Sequence, residues 1–202
     1  MILRAEWHNP GMPESRSDRP TVLAAWLVIA GVIGWWAAFS LTMERFQLLV
    51  DPDATAACDF SLLVQCTANL ESAQGSVFGF PNPILGLTGW AAPIVVGMAI
   101  LAGARFARWF WWCFWAGTAL AFGFVLWLIG QSVFALGTLC PWCMVTWAVT
   151  IPTFYAVTVQ ALRVSGIRWA RRLGPWVPLA SFVTYAAIAL VAQLNLNWLG
   201  QL

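Results

Sequence analysis

Long apolar runs dominate this chain, and five of them predict helices that cross a membrane. A bilayer core of about 30 Å requires roughly 20 residues of helix. The 54 uncharged residues from Trp109 to Leu162 are too long for one span, and Gly137 and Pro141 interrupt them near the middle, so they predict two. The five predicted spans cover residues 22–42, 84–104, 109–135, 140–162 and 175–196. The pattern therefore predicts an all-α integral membrane protein with a single membrane domain over residues 22–202.

The connection between the first two spans, residues 43–83, is the longest and contains a further helical pattern. Leu62, Cys66 and Leu70 recur at every fourth position, which predicts a short amphipathic helix with Cys66 turned toward the bundle. Residues 1–21 are mostly polar and predict a cytoplasmic tail. A cleaved signal peptide is less favoured, because the first apolar run of 21 residues is longer than a usual signal core.

Composition excludes a water-soluble domain, and the charges predict an orientation. Hydrophobic residues make up 61% of the chain and charged residues only 9%. The net charge of +2 gives no sign of a nucleic-acid partner. Nine of the ten arginines fall in segments on one side of the predicted spans, which the positive-inside rule assigns to the cytoplasm. We expect a multi-pass protein of the cytoplasmic membrane, in contact with its lipid, with the N-terminus inside and the C-terminus outside.

This orientation places four of the five cysteines on the outer side of the membrane, where disulfides persist. Cys58 and Cys66 belong to the long connection, and Cys140 and Cys143 stand where the fourth span begins. Cys113, near the cytoplasmic end of the third span, is interpreted as a packing residue, because free cysteine behaves as a small buried hydrophobe.

The Cys140-Pro-Trp-Cys143 spacing is used for redox chemistry and for metals. Cys140 at a helix N-terminus favours a thiolate, which is the form that attacks disulfides. No metal is predicted, because Cys58 and Cys66 are eight residues apart and no histidine is near them. The two pairs predict a relay from an outside partner to Cys58, which we expect to be the more accessible, then to Cys66, Cys140 and Cys143. Electrons at Cys143 inside a membrane bundle need a lipid-soluble acceptor, and a quinone meets this need.

These residues together resemble the vitamin K epoxide reductase family, in its bacterial quinone-linked branch without a fused thioredoxin domain. The resemblance covers roughly residues 22–159 and rests on Cys58-x7-Cys66, then Ser72, then Phe78-Gly79-Phe80-Pro81-Asn82-Pro83-Ile84-Leu85-Gly86-Leu87, then Cys140-x-x-Cys143. It implies a four-helix bundle around a quinone, capped by the loop helix, with the fifth membrane helix peripheral. It also implies that Cys58 and Cys66 are a shuttle pair and that Cys140 and Cys143 are the active-site pair, with Cys143 beside the quinone.

Two further positions are matched to the quinone by the resemblance. Asn82 corresponds to the family's asparagine that hydrogen-bonds a quinone carbonyl, although an Asn before Pro83 is also a good N-cap. Trp147 stands where vertebrate members carry Tyr. Its indole N–H can donate a hydrogen bond but cannot accept one, and packing is the alternative role for this side chain.

The activity implied by the resemblance is that of a quinone-dependent, disulfide-generating oxidoreductase. It would reoxidise a separate thioredoxin-like, DsbA-like protein of the cell envelope and pass the electrons to a membrane quinone, which supports disulfide bond formation. Basic residues that are all arginine hint at a GC-rich genome and make menaquinone the expected acceptor.

Other interpretations of the sequence are vitamin K reduction, the DsbB family, a structural membrane protein and a transporter. Reduction of vitamin K quinone or epoxide is an alternative main role for the same family. The DsbB family performs related chemistry, but it has its two cysteine motifs in the opposite order. A non-catalytic membrane protein with one structural disulfide is the alternative from another class, and transport is less favoured because the predicted spans contain no charged residue.

Overall fold

A computed structural model describes residues 20–51 and 55–196, and this part of the chain is helical without a β-strand. Five of its helices are long and apolar enough to cross a membrane. The predicted class of all-α integral membrane protein is therefore confirmed. Most of the predicted cytoplasmic tail, residues 1–19, and the last residues 197–202 lie outside the described residues.

Six α-helices follow one another along the described chain, and the longest connection between membrane-spanning helices is the one after the first of them. They are α1 (Thr21–Val50), α2 (Thr67–Glu71), α3 (Pro83–Leu101), α4 (Arg108–Gly130), α5 (Pro141–Val164) and α6 (Val177–Leu196). Short 3₁₀ turns cover Ala73–Ser76, Arg168–Arg172 and Gly174–Trp176. α4 continues as a π-helical stretch, Gln131–Leu136, which ends at Gly137 in the left-handed conformation with φ of 69°. Glycine adopts this conformation without strain and often ends a helix in this way.

The first helix is longer than the apolar pattern predicts, because it ends at Val50 rather than at residue 42. Glu44 and Arg45 mark the end of the apolar run, but both residue types are good helix formers. Leu48 within this extension and Leu41 just before it are buried in the same cluster as Cys66. The connection after α1 therefore begins near Asp51 rather than at residue 43.

The predicted amphipathic helix is present only as the five residues of α2. Cys66 and Leu70 are buried as predicted by the stripe, but Leu62 lies before the helix and is 91% exposed. The backbone N–H of Phe60 donates to the carbonyl of Val64, and this turn prevents a helix from starting earlier. The prediction for Leu62 was wrong because turn hydrogen bonds override the periodic pattern there.

Four long helices form a bundle, and the fifth lies outside it. α3 packs along α1, α1 packs against α5, and α5 packs against α4. α1 and α3 approach closely through small residues: a Cβ added at Gly97 would lie 2.7 Å from the carbonyl oxygen of Ala24. α6 packs on α5, where the Tyr185 hydroxyl donates to the Ala148 carbonyl over 2.6 Å. This is the predicted four-helix bundle with one peripheral helix.

Candidate redox-active site

Four cysteines form a continuous series of contacts at one end of the bundle, called here the cysteine end. Cys58 and Cys66 are joined by a disulfide, with their Cα atoms 5.7 Å apart. The Sγ of Cys140 lies 3.3 Å from the Sγ of Cys66. Cys140 is also hydrogen-bonded with Cys143, through both the backbone and the thiol of the latter. The structure thus brings together all four cysteines that the sequence singled out.

Cys140 occupies the N-cap position of α5, with Pro141 as the first helical residue. Its sulfur accepts a hydrogen bond from the backbone N–H of Cys143 over 3.4 Å. The pKa of Cys140 is lowered, first by the hydrogen bond from the Cys143 thiol and further by the N–H groups of Cys143 and Trp142, although burial opposes this. A lowered pKa favours the thiolate, which is the reactive form in disulfide exchange.

A short backbone pairing sets Cys66 opposite Cys140. Val64 and Leu139 form a parallel bridge, in which Gln65 N–H donates to the Leu139 carbonyl over 3.0 Å. Leu139 N–H donates in turn to the carbonyl of the residue before Val64 over 2.7 Å. Each cysteine follows this pairing within two residues, so the bridge fixes the backbone positions from which the two cysteine side chains extend. A single bridge has no periodic signal, so the sequence did not predict it.

Cys58 is less accessible than expected, since it is only 4% exposed. The residues before it are held down by two hydrogen bonds. Ala56 N–H donates to the Thr67 hydroxyl over 3.1 Å, and Ala57 N–H donates to the Glu44 carboxylate over 3.0 Å. Cys58 is more exposed than Cys66, which has no exposed surface, but the difference is small, and this segment must move before another protein reaches the Cys58 sulfur.

Asp59 caps the start of α2 and lies beside the disulfide. Its Oδ1 accepts the N–H groups of Cys66 over 2.6 Å and of Thr67 over 3.1 Å, and its Oδ2 accepts the Thr67 hydroxyl over 2.6 Å. Partial burial acts to raise the pKa of Asp59, but the hydrogen bonds from Thr67 and Cys66 outweigh it and the pKa is lowered. Asp59 was not singled out from the sequence, although Asp is a common residue at helix starts.

The ligand atoms of Cys58, Asp59 and Cys66 lie within 4.8 Å of one another, a spacing compatible with a metal ion. Both sulfurs are joined in the disulfide, however, and thiolates are the form of cysteine that binds zinc. The geometry of this cluster in the disulfide form therefore favours redox chemistry.

The hydrogen bonds of Asp59 lead to a prediction about pH. Folding lowers the pKa of Asp59. The carboxylate should therefore stabilise the loop fully above the pKa of the unfolded state, about 3.9, and this stabilisation should be lost as the pH falls through the pKa of the folded state. We expect Asp59→Asn to weaken the loop by about 1 kcal/mol at neutral pH, since water screens the carboxylate and Asn keeps one acceptor oxygen, and to remove this dependence. Hydrogen exchange of residues 55–71 from about pH 2 to pH 7 measures both effects.

The exposed Glu71 supplies the matched control for this experiment. The variant Glu71→Gln removes a carboxylate from the same loop and should retain the wild-type pH dependence. If hydrogen exchange of the loop in Asp59→Asn had the same pH dependence as in the wild type, the role of the carboxylate would be contradicted.

A cavity of about 1040 Å³ lies inside the bundle, and Cys143 lines it. Its walls come from α1 to α5 and the π-helical stretch, and no described residue of α6 contributes. A Cβ built at Gly89, Gly117 or Gly123 would have no heavy atom of another helix or loop within 4 Å, so these glycines help to leave the space open. The wall is mostly apolar, with these amide and hydroxyl side chains near α2 and the π-helical stretch: Asn69, Ser72, Gln74, Asn82, Gln131 and Ser132. The volume and lining suit an apolar ligand with a few polar atoms.

Asn82 and Trp147 both line this cavity. Asn82 stands at the N-cap of α3 without a side-chain capping bond. Its Nδ2 donates to the Gln74 carbonyl over 2.6 Å, and its Oδ1 accepts the N–H of Val77 over 3.2 Å. The alternative role of helix cap is therefore not observed, and one of its two amide hydrogens remains for a ligand. Trp147 is 7% exposed, and its indole makes no hydrogen bond within the described part of the chain.

Several cavity residues were missed in the sequence. Gln131 and Ser132 interrupt the long apolar run, which was the available signal for them. Asn69 gave no signal, because its partners are distant in sequence. Cys113, interpreted as buried packing, is instead exposed and lines the cavity.

An apolar helical bundle that holds two contacting cysteine pairs beside a cavity defines a class of protein, the membrane oxidoreductases of thiols and disulfides. Residues 25–158 match the sequence profile of the Vitamin K epoxide reductase family, and the chain belongs to this family. Its members use quinones, so the match also fits the cavity beside Cys143. None of the curated proteins compared with the chain matches it.

Proposed function

We propose that the protein is a membrane thiol oxidase that moves electrons from a separate thioredoxin-like, DsbA-like protein to a membrane quinone. The observation that carries this proposal is the series of sulfur contacts from the Cys58–Cys66 disulfide through Cys140 to Cys143 at the cavity. In the net reaction a dithiol of the partner becomes a disulfide and a quinone becomes a quinol. Two electrons and two protons are transferred for each disulfide made.

The partner would enter the relay at Cys58. A thiolate of the partner attacks the Cys58 sulfur, which breaks the Cys58–Cys66 bond and releases Cys66 as a thiolate. The second thiol of the partner then attacks the mixed disulfide, so the partner leaves oxidised and Cys58 remains as a thiol. The buried position of Cys58 requires that the segment held by Glu44 and Thr67 lift during this step.

The second exchange passes the electrons between the pairs. When Cys140 and Cys143 are joined, the Cys66 thiolate attacks the Cys140 sulfur and Cys143 leaves as a thiolate. Cys58 then attacks Cys66, which restores the Cys58–Cys66 disulfide and frees Cys140. The structure, with one disulfide and with Cys140 and Cys143 free, has the redox state that follows this exchange.

The cavity residues fit a quinone by size and by chemistry. A bound quinone supplies an acceptor of two electrons and two protons, and menaquinone is the acceptor we propose. The free amide hydrogen of Asn82 and the indole N–H of Trp147 would donate to its carbonyl oxygens. The apolar wall would hold the ring and tail, and Cys143 would present its sulfur to the cavity.

The proposed orientation places the cysteine end outside the cytoplasmic membrane. Arg105 and Arg108 lie in or beside the connection between α3 and α4, and Arg163, Arg168, Arg171 and Arg172 lie at the connection between α5 and α6. Alternating spans put both connections at the bundle end opposite the cysteines. The positive-inside rule therefore supports a cytoplasmic location for that end.

Quinol formation by the purified protein tests this function. A reduced thioredoxin-fold protein and a menaquinone analogue are supplied in detergent, and one quinol should form for each partner disulfide. Mass spectrometry of the extracted lipid should identify the copurified quinone. After alkylation, gel shifts should show several interchanging disulfide forms, whereas a structural disulfide would give one unchanging form. Partner oxidation without quinol, or no partner oxidation at all, would refute the proposal.

A further inference from the structure

Asn69 connects the two segments that carry Cys66 and Cys140. It lies on α2, and its Nδ2 donates to the Thr138 hydroxyl over 2.9 Å and to the Gln65 carbonyl over 3.2 Å. Its Oδ1 accepts the hydroxyl of Ser132 over 3.0 Å. One side chain thus binds the residue before Cys66, the residue two before Cys140 and the π-helical stretch.

The hydroxyl partners of Asn69 are buried, and the three hydrogen bonds fix the orientation of its amide. Ser132 is 4% exposed and Thr138 is 6% exposed, so an unpaired hydroxyl there would be costly. A flipped amide would set Oδ1 against the Gln65 carbonyl, two acceptors facing each other. Both amide hydrogens and the oxygen are therefore used, which only Asn or a longer amide can provide.

The short α2 needs such an external support. A helix of five residues is not stable by itself, because nucleation costs more than its few hydrogen bonds return. The carboxylate of Asp59 binds its first turn within its own loop. Within the described part of the chain, the hydrogen bonds that join α2 and the residues just before it to the segment before Cys140 come from the Val64–Leu139 bridge and from Asn69. The sulfurs of Cys66 and Cys140, 3.3 Å apart, lie on the two segments that these hydrogen bonds join.

We propose that Asn69 is a positioning residue for disulfide exchange between Cys66 and Cys140. This proposal rests on the relay proposed above. Asn69 does not touch either sulfur; it holds the two cysteine segments in the register in which the sulfurs meet. Loss of its amide separates the pairs and leaves each pair intact.

The experiment measures how readily the two sulfurs meet, without partner or quinone. In the full chain carrying Cys58→Ser, Cys143→Ser and Cys113→Ser, only Cys66 and Cys140 remain, and their disulfide is equilibrated with a glutathione redox buffer. The ratio of oxidised to reduced protein gives the effective concentration of one thiol at the other. Asn69→Ala and Asn69→Asp should each lower it about tenfold.

A second background separates positioning from general damage to the fold. In a chain carrying Cys140→Ser, Cys143→Ser and Cys113→Ser, the Cys58–Cys66 pair should keep its effective concentration when Asn69 is changed. Thr138→Val should reproduce the loss between Cys66 and Cys140, and Thr138→Ser, which keeps the hydroxyl, should restore the wild-type value.

An unchanged Cys66–Cys140 value in Asn69→Ala would overturn the proposal, and so would an equal loss in both backgrounds. Neither background uses quinone or partner, so the effective concentrations can be interpreted even if the earlier assay finds no quinol. The two proposals therefore fail separately.

Discussion

Replacing Cys143 with Ala should abolish quinol formation, with a loss on the order of a thousandfold or more. Cys143 is the member of the two pairs that lines the cavity, so no other sulfur of the relay reaches an acceptor there. The variant can still use its Cys58–Cys66 disulfide once. We therefore expect one partner disulfide per protein molecule, followed by arrest with both loop cysteines reduced. Stopped-flow absorbance of the quinone and a thiol count after alkylation measure the two results.

Cys113 provides the matched control for this variant, because it also lines the cavity but contacts no other cysteine within the described residues. Cys113→Ala should reduce quinone with sustained turnover, because Cys113 takes no part in the sulfur exchange. Continued turnover in Cys143→Ala would show that electrons leave the relay elsewhere and would exclude the proposed order.

Replacing Cys58 with Ser should lower turnover with the protein donor but not with small thiols. Cys66 has no exposed surface, so a folded partner has no route to it once Cys58 is gone. We expect turnover with the thioredoxin-like protein to fall about a hundredfold or more, while reduction by dithiothreitol continues. Cys66 is then free to bond with Cys140, which lies 3.3 Å away, and peptide mapping should find that disulfide in the resting protein.

Cys113→Ser is the control for the change of sulfur to oxygen, and it should use both donors normally. An equal loss with both donors in Cys58→Ser would contradict the entry role of Cys58. A resting protein with Cys66 and Cys140 both reduced would contradict the contact between them.

The membrane architecture was predictable because the length of an apolar run is a local property of the sequence. The end of α1 was not predicted, since Glu44 and Arg45 stop the apolar run while the helix continues. The true length of α2 was also missed, because the turn near Phe60 and the carboxylate of Asp59 decide where that helix begins.

The grouping of the four cysteines was predictable from the sequence, but the side chains that hold them in place were not. The cysteine motifs carry a recognisable spacing, whereas Asn69 and Ser132 are 63 residues apart and give no common pattern in one sequence. The burial of Cys58 depends on contacts with Thr67 and Glu44, which a linear pattern does not contain. Tertiary contacts of this kind require the fold before they become visible.

The bridge between Val64 and Leu139 also limits how the length of this chain can vary during evolution. Alternate residues of extended backbone point to opposite sides, so one residue inserted between the bridge and either cysteine would turn that sulfur away from the other. The connection between α5 and α6 lies at the opposite end of the bundle and does not position any of the four cysteines. We expect insertions and deletions in descendants of this sequence to collect there, while the spacing from the bridge to Cys66 and Cys140 stays constant.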